Sequence, residues 1–210
     1  LSGRADAAPP ACLGLVSAGW TDRLNQRPSE VSCPPDSGTG HRREVRTFVR
    51  REGRFTPAQR AGLERWYGRY GLDLPLAGPP WDLHQVFGRT APVWLDIGFG
   101  NGDALVAMAL SQSDRDHIGV EVHRPGVGRI LNALADREID NVRIVCGDAL
   151  RVLREGVPPA ALAGVRLFFP DPWPKKRHHK RRMVQPAWAR LVASRLRPGG
   201  ILQLATDWED

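Results

Sequence analysis

The sequence predicts an α/β protein built on a doubly wound, mostly parallel sheet with helices on both faces. Three observations predict it. From Pro92 onward, short apolar runs alternate with helical runs of 8–13 residues, the pattern of crossover connections between parallel strands. A glycine-rich turn, "DIGFGNG", closes the first apolar run. Acidic residues stand at the ends of successive strands, where ligands bind in open sheets of this kind.

Residues 1–40 are rich in Pro, Gly, Ala and Ser, lack periodicity and read as a disordered tail. Residues 41–92 lead into the domain: a basic arm to residue 54, a helix from Thr56 with Pro57 in its first turn running to Gly71, then loop over 72–92. Residues 93–210 form the domain itself. "PVWLDIG" (92–98) is a buried strand, "DALVAMALSQ" (103–112) a helix, "HIGVEV" (117–122) a strand and "VGRILNALADRE" (127–138) a helix. "NVRIVCGD" (141–148) is a strand, "ALRVLREG" a short helix and "VRLFFPDP" (165–172) a strand. A helix over 184–196, an "RPGG" turn and a strand over 201–206 complete the pattern.

With 210 residues, 41% apolar and 25% charged, the chain suits one soluble domain with a sizeable core. No run approaches 18 apolar residues, so no membrane span is expected. "ACLGLVSAGW" (11–20) follows Asp6 and a single Arg, and no small-x-small cleavage pattern follows it, so it reads as tail. Cys12, Cys33 and Cys146 have no metal-ligand spacing. They read as free thiols of a cytoplasmic protein. The chain starts at Leu1 and stops soon after a strand, and reads as a fragment at both ends.

The net charge is +7, yet residues 175–182 (KKRHHKRR) alone carry +6 and residues 42–54 carry +4. All the excess therefore sits in two short segments on an otherwise neutral body. That suggests a polyanion site, with two solvated charge runs as the alternative.

The acids are Asp96, Glu121, Asp148 and Asp171, with Asp207 after the fifth strand. Each alone reads as a helix cap or a loop residue; five in register read as a lined cleft. Gly98 and Gly100 permit positive φ and close approach of a ligand to the backbone. Their spacing is not the G-x-G-x-x-G of dinucleotide enzymes, and a carboxylate at Asp96 would repel a pyrophosphate. It would attract a ligand bearing an ammonium and a sulfonium. S-adenosylmethionine carries both. Glu121 can accept from two ribose hydroxyls and Asp148 from an adenine amino group. A nicotinamide oxidoreductase on the same sheet would call for a different glycine turn.

Six segments resemble the bacterial tRNA guanine-N7 methyltransferases: "TFVRREGRFTPAQ" (47–59), "LDIGFGNGDALVAMA" (95–109), "GVEVHRPGVGRIL" (119–131), "NVRIVCGDAL" (141–150), "RLFFPDPWPKKRHHKRRMVQP" (166–186) and "GGILQLATDWE" (199–209). The resemblance implies a class I methyltransferase, Rossmann-like fold and methyl transfer from S-adenosylmethionine to a guanine N7 in the tRNA variable loop, at position 46. It implies that Asp96, where the family usually has Glu, joins Glu121, Asp148 and Asp171 at the S-adenosylmethionine site, with Asp171 also catalytic. Lys175 and Asp207 then contact the tRNA, and Arg177, His178, His179, Lys180, Arg181 and Arg182 form an RNA-binding strip. The family continues beyond the TDWE motif, so the domain is expected to be truncated at Asp210. A monomer or homodimer without membrane association is expected.

Guanine N7 has an accessible lone pair and no proton, so direct in-line attack on the methyl needs no catalytic Cys or strong base. Orientation and electrostatics remain for the protein. Asp171, fixed between two prolines, can accept from guanine N1–H or the 2-amino group, and Asp207 can share that task. Trp173 stacks on a base or serves as a hinge indole. The other readings are an RNA-binding protein that keeps the fold without turnover, and a class I methyltransferase acting on another substrate.

Overall fold

The computed structural model of the chain describes residues 54–75, 78–171 and 173–208. The expected tail over 1–40, most of the basic arm, Cys12, Cys33 and Pro172 lie outside the described residues. Helix α1 spans Pro57–Tyr70 and α2 Leu83–Phe87. Then come β1 (Val93–Ile97), α3 (Asp103–Ser111), β2 (Asp116–Glu121), α4 (Arg124–Asp136) and β3 (Val142–Cys146). Helix α5 (Ala149–Arg151) continues as a π-helical turn over Val152–Gly156. Strand β4 (Leu162–Phe168), a 3-10 helix (Lys176–Arg181), α6 (Pro186–Arg195) and β5 (Leu196–Ala205) follow.

The five strands run in the order β3-β2-β1-β4-β5, every adjacent pair parallel. The chain winds outward from β1 through β2 to β3, then crosses to β4 and β5 on the other side. The direction of winding therefore reverses between β1 and β4, where such sheets bind ligands. The strands end level with one another. Gly98 N donates to Val120 O at 2.8 Å, Gly147 N to Glu121 O at 3.0 Å and Phe169 N to Ala205 O at 2.8 Å. One rim of the sheet thus collects the residues that follow all five strands.

Both faces are covered, which is why the central strands read as continuous apolar runs. Leu95, Ile118, Val120, Val165 and Leu167 pack against Val152, Leu153, Trp188 and Val192. On the opposite side Val142 and Ile144 pack with Leu63, Leu105, Ile130, Leu131 and Leu134 from α1, α3 and α4.

Helix α1 begins with a complete capping box: Gln59 N donates to Thr56 Oγ1 at 3.3 Å and Thr56 N donates to Gln59 Oε1 at 2.9 Å. Such a cap contributes about 1 kcal/mol. Its first turn lies backbone to backbone on α4, since a Cβ at Gly128 would stand 2.0 Å from Gln59 O.

Five expectations are corrected. The 72–92 stretch contains α2, capped by Asp82, whose side chain accepts from His84 N and Gln85 N at 3.0 and 3.2 Å. Helix α4 starts at Arg124 rather than residue 127, because Pro125 falls in its first turn and tolerates the missing N–H there. Strand β4 stops at Phe168, so the "PDP" run lies beyond it. The "RPGG" segment belongs to β5 as an irregularity, the register shifting between Leu162 and Gly164. Cys146 is disulfide-bonded, so the three cysteines are not all free thiols. Among the described residues no helix is long and apolar enough to cross a membrane. Strand β5 is one of the two edge strands, and its Ile201 and Leu204 are about half exposed, at 51% and 49%.

Candidate active site

The turn after β1 is the floor of the rim. Gly98, Gly100 and Gly102 hold φ of 70°, 60° and 84°, values that only glycine adopts freely. A Cβ at Gly102 would lie 2.5 Å from Ile130, and one at Gly126 would lie 2.2 Å from Gly100 O. The turn is therefore pressed against α4 from one side. At Gly98 and Gly100 a Cβ would meet nothing within 4 Å. Those two positions form an open cradle of bare backbone.

Glu121 closes β2 and stands beside that cradle. Its Oε2 accepts from Gly100 N at 2.9 Å, and its Oε1 accepts from Val122 N at 2.7 Å and His123 N at 2.9 Å. One carboxylate thus ties the glycine turn to the β2–α4 turn. A carboxylate offers about four acceptor sites, so about one remains for a ligand hydroxyl. The two-hydroxyl role expected of Glu121 is to that extent narrowed.

Asp96 is not a strand-end residue. It is the fourth of five residues in β1, it is 5% exposed, and its side chain turns to the α3 face of the sheet. Arg166 Nη1 donates to its Oδ1 at 3.1 Å, and His117 Nδ1 lies 3.3 Å from its Oδ2. The uncompensated negative charge expected beneath the glycine turn is therefore offset by a buried guanidinium. Arg166 and His117 had not been singled out in the sequence. The only signal was an Arg in "VRLFF" and a His opening "HIGVEV", each in a largely apolar run.

Asp148 caps α5, its Oδ1 accepting from Leu150 N at 2.9 Å, and is half-buried at the rim. Asp171 and Asp207 are exposed. The Phe169 N to Ala205 O bond holds their two segments side by side. The backbone bracketing Asp171 is strained: Phe169 and Trp173 have φ of 50° and 44°. Such values cost a non-glycine residue about 1–3 kcal/mol each and concentrate at functional sites.

Directly beyond Asp171 the basic strip forms a 3-10 helix, Lys176–Arg181, with no buried residue. Lys175 precedes it and Arg182 follows. Its three-residue period places Arg177 above Lys180 and His178 above Arg181. Trp173 folds back onto this helix. Arg181 Cζ lies 5.1 Å from the indole centroid, and the His178 ring meets it edge-on at 5.8 Å. The indole, read in the sequence either as a base-stacking ring or as a hinge indole, is thus engaged within its own segment. Arg182 Nη2 lies 3.3 Å from His179 Nε2, and Gln185 Nε2 donates to His179 O at 3.2 Å. Desolvation, with the charges of Arg177, Arg181, Lys175 and Lys180, lowers the pKa of His178 below its ordinary value.

The winding of the sheet, its open glycine turn and the acids along one rim define a doubly wound α/β protein with a ligand-binding rim, and the family matches make it a methyltransferase. The family described as "Putative methyltransferase" matches residues 90–210. A tRNA (guanine-N(7)-)-methyltransferase of Alkalilimnicola ehrlichii is 55% identical over 175 residues, covering 83% of this chain and 73% of its own. That of Halorhodospira halophila is 54% identical over 168 residues, covering 80% and 72%. Among solved structures, the aminoglycoside resistance methyltransferase NpmB1 is similar with a TM-score of 0.47 at 18% identity, over 61% of this chain and 62% of that one. The chain belongs to the tRNA (guanine-N(7)-)-methyltransferase family.

Proposed function

We propose that this protein transfers the methyl group of S-adenosylmethionine to N7 of the guanine at position 46 of the tRNA variable loop, in the cytoplasm. The observation that carries the reading is the layout of the rim: an open glycine cradle at the centre, three carboxylates along the edge, and a solvent-exposed basic helix immediately after one of them.

The residues present fit the methyl donor. Gly98 and Gly100 leave backbone open to it. Glu121 keeps about one acceptor site for a ribose hydroxyl. Asp148, beyond the neighbouring strand β3, supplies an acceptor for an adenine amino group. Asp171 offers negative charge toward an ammonium or a sulfonium, so the electrostatic attraction once assigned to Asp96 falls to the rim acids instead. When bound, the donor supplies an electrophilic methyl on a sulfonium. Asp96 contributes from behind, by holding β1 and β4 in register through Arg166.

Asp171 accepts from guanine N1–H or the 2-amino group, which fixes the ring and stabilises the positive charge that develops on the purine as N7 is alkylated. Asp207, on the adjoining segment, shares that contact. No proton leaves N7, so no general base is required. The work is alignment and charge stabilisation in a fixed frame. Lys175, Arg177, Lys180, Arg181 and Arg182 position the RNA through phosphates without reading sequence, while His178 and His179 add polar contacts.

The test is incubation of the full-length protein with unmodified tRNA and methyl-labelled donor, followed by mapping of the label. N7-methylguanine at position 46 is expected. A tRNA carrying 7-deazaguanine at that position should accept no methyl. Label on another base or none at all would overturn the reading.

A further inference from the structure

We infer that Arg60 and Arg124, gathered around Phe55, form a second RNA-backbone contact on the opposite side of the glycine turn from the basic 3-10 helix. The inference rests on the tRNA reading above and adds a surface to it.

Phe55 immediately precedes the α1 cap. Arg60 Cζ lies 5.0 Å from its ring centroid and Arg124 Cζ 5.9 Å. A guanidinium resting on an aromatic face can present its Nη groups to a phosphate; the Nε of Arg124 is itself buried without a partner. Arg124 is the first residue of α4, directly after the turn that Glu121 holds. The site is rigid. Asn132 Nδ2 donates to Ala58 O at 3.0 Å, and the close approaches at Gly126 and Gly128 lock α1, α4 and the glycine turn together.

Of the other arginines of the same two helices, Arg69 pairs with Asp140 at 2.8 Å and Arg129 with Asp103 at 3.0 Å, while Arg65 lies over the ring of its neighbour Trp66. Arg60 and Arg124 form no salt bridge with any described carboxylate. The acids nearest in sequence are Glu64, one turn along α1, and Glu121, whose carboxylate already accepts three backbone N–H groups. Two like charges on one ring repel each other, and an anion between them relieves that repulsion. Exposed Arg54, last of the six arginines in residues 42–54, immediately precedes Phe55 in the chain.

The position of the pair identifies the anion. Strands β2 and β4 flank β1. Arg124 follows β2, and the basic helix follows β4. A strand of RNA laid across the rim, with its guanine at the centre, meets cations on both sides. A single small anion would need only one of the two clusters.

The test compares full-length wild-type protein with two double variants, Arg60→Gln/Arg124→Gln and Arg177→Gln/Lys180→Gln. Binding of unmodified tRNA is measured over a range of salt concentrations, and binding of S-adenosylmethionine by calorimetry. For Arg60→Gln/Arg124→Gln the expected result is about a tenfold loss of tRNA affinity at low salt. The slope of log K against log salt should become shallower by about 1.5, two contacts at about 0.7–0.9 each. Donor affinity should be unchanged. Wild-type affinity and slope in this variant, with a loss in Arg177→Gln/Lys180→Gln, would overturn the inference and leave the tRNA reading intact. A fall in donor affinity with an unchanged salt slope would reassign the two arginines to the donor and also overturn it. Failure of the wild-type protein to bind tRNA would overturn both.

Discussion

Arg166 on β4 and Asp96 on β1 form a buried ion pair, with Nη1 3.1 Å from Oδ1 and 3.4 Å from Oδ2 and both residues at most 5% exposed. The guanidinium also donates from Nε to Gln203 Oε1 at 3.2 Å, and its Cζ lies 4.0 Å from the Trp94 ring centroid. The pair spans the two strands between which the winding reverses. One of them leads into the glycine turn, the other into Asp171 and the basic helix. It therefore sets the relation between the glycine turn and the Asp171 side of the rim.

Removing only one partner leaves the other charge buried and unpaired, which costs about 3–5 kcal/mol. Arg166→Met should lower unfolding free energy by that order in urea titration. Combining it with Asp96→Asn should restore much of the loss, because neither buried charge then remains. Additive losses in the double variant would contradict the pairing.

Glu121→Ala frees three backbone N–H groups at two turns. Donor affinity should fall at least about tenfold in calorimetry, and stability should drop by about 2 kcal/mol. Glu121→Gln, which keeps one acceptor oxygen, should lie between wild type and Ala on both measures. Equal behaviour of the two variants would show that the backbone bonds do not matter to the cradle.

Asp171→Asn preserves shape and removes charge at an exposed position. The melting curve should stay close to wild type and donor affinity within about threefold, while single-turnover methyl transfer falls by about 100-fold or more. An unimpaired rate would exclude Asp171 from the chemistry.

His178 yields a pH dependence whose sign can be worked out. Desolvation and its cationic neighbours lower its pKa below the ordinary 6.5, so it is neutral near pH 7. Phosphate bound at the strip favours the protonated form. Binding then takes up a proton, and tRNA affinity should rise as pH falls below about 6.5. The same lowered pKa means that the unfolded chain holds this proton more tightly, so His178 slightly weakens the fold over that range. His178→Asn should flatten its share of the affinity rise in binding measured between pH 7.5 and 5.5.

The strands were legible because residues such as Leu95, Ile118 and Val165 are buried on a sheet covered on both faces, which leaves an unbroken apolar signature. The α1 start was legible because Thr56, Pro57 and Gln59 are local signals satisfied by local bonds. Helix α2 was not, since five residues are too few to show a 3.6-residue period. The end of β4 was misplaced because Phe169 is apolar yet 65% exposed beyond the strand. At the site, the positions of Glu121, Asp148 and Asp171 at or beyond the ends of strands could be read, but not where their lone pairs point. Asp96 looked like a rim acid because its partner Arg166 lies 70 residues away, a pairing that no local pattern carries.

The central claim is that one rim of the sheet holds the methyl donor between the glycine turn and the acids at the end of β2 and beyond β3 and β4. A crystal structure with S-adenosylhomocysteine measures this most directly. The account predicts its ribose within hydrogen-bonding distance of Glu121, its adenine amino group at Asp148, and its sulfur over Gly98 on the side facing Asp171. Density for the ligand at the opposite edge of the sheet, or at this rim with Glu121 making only its backbone bonds, would contradict it.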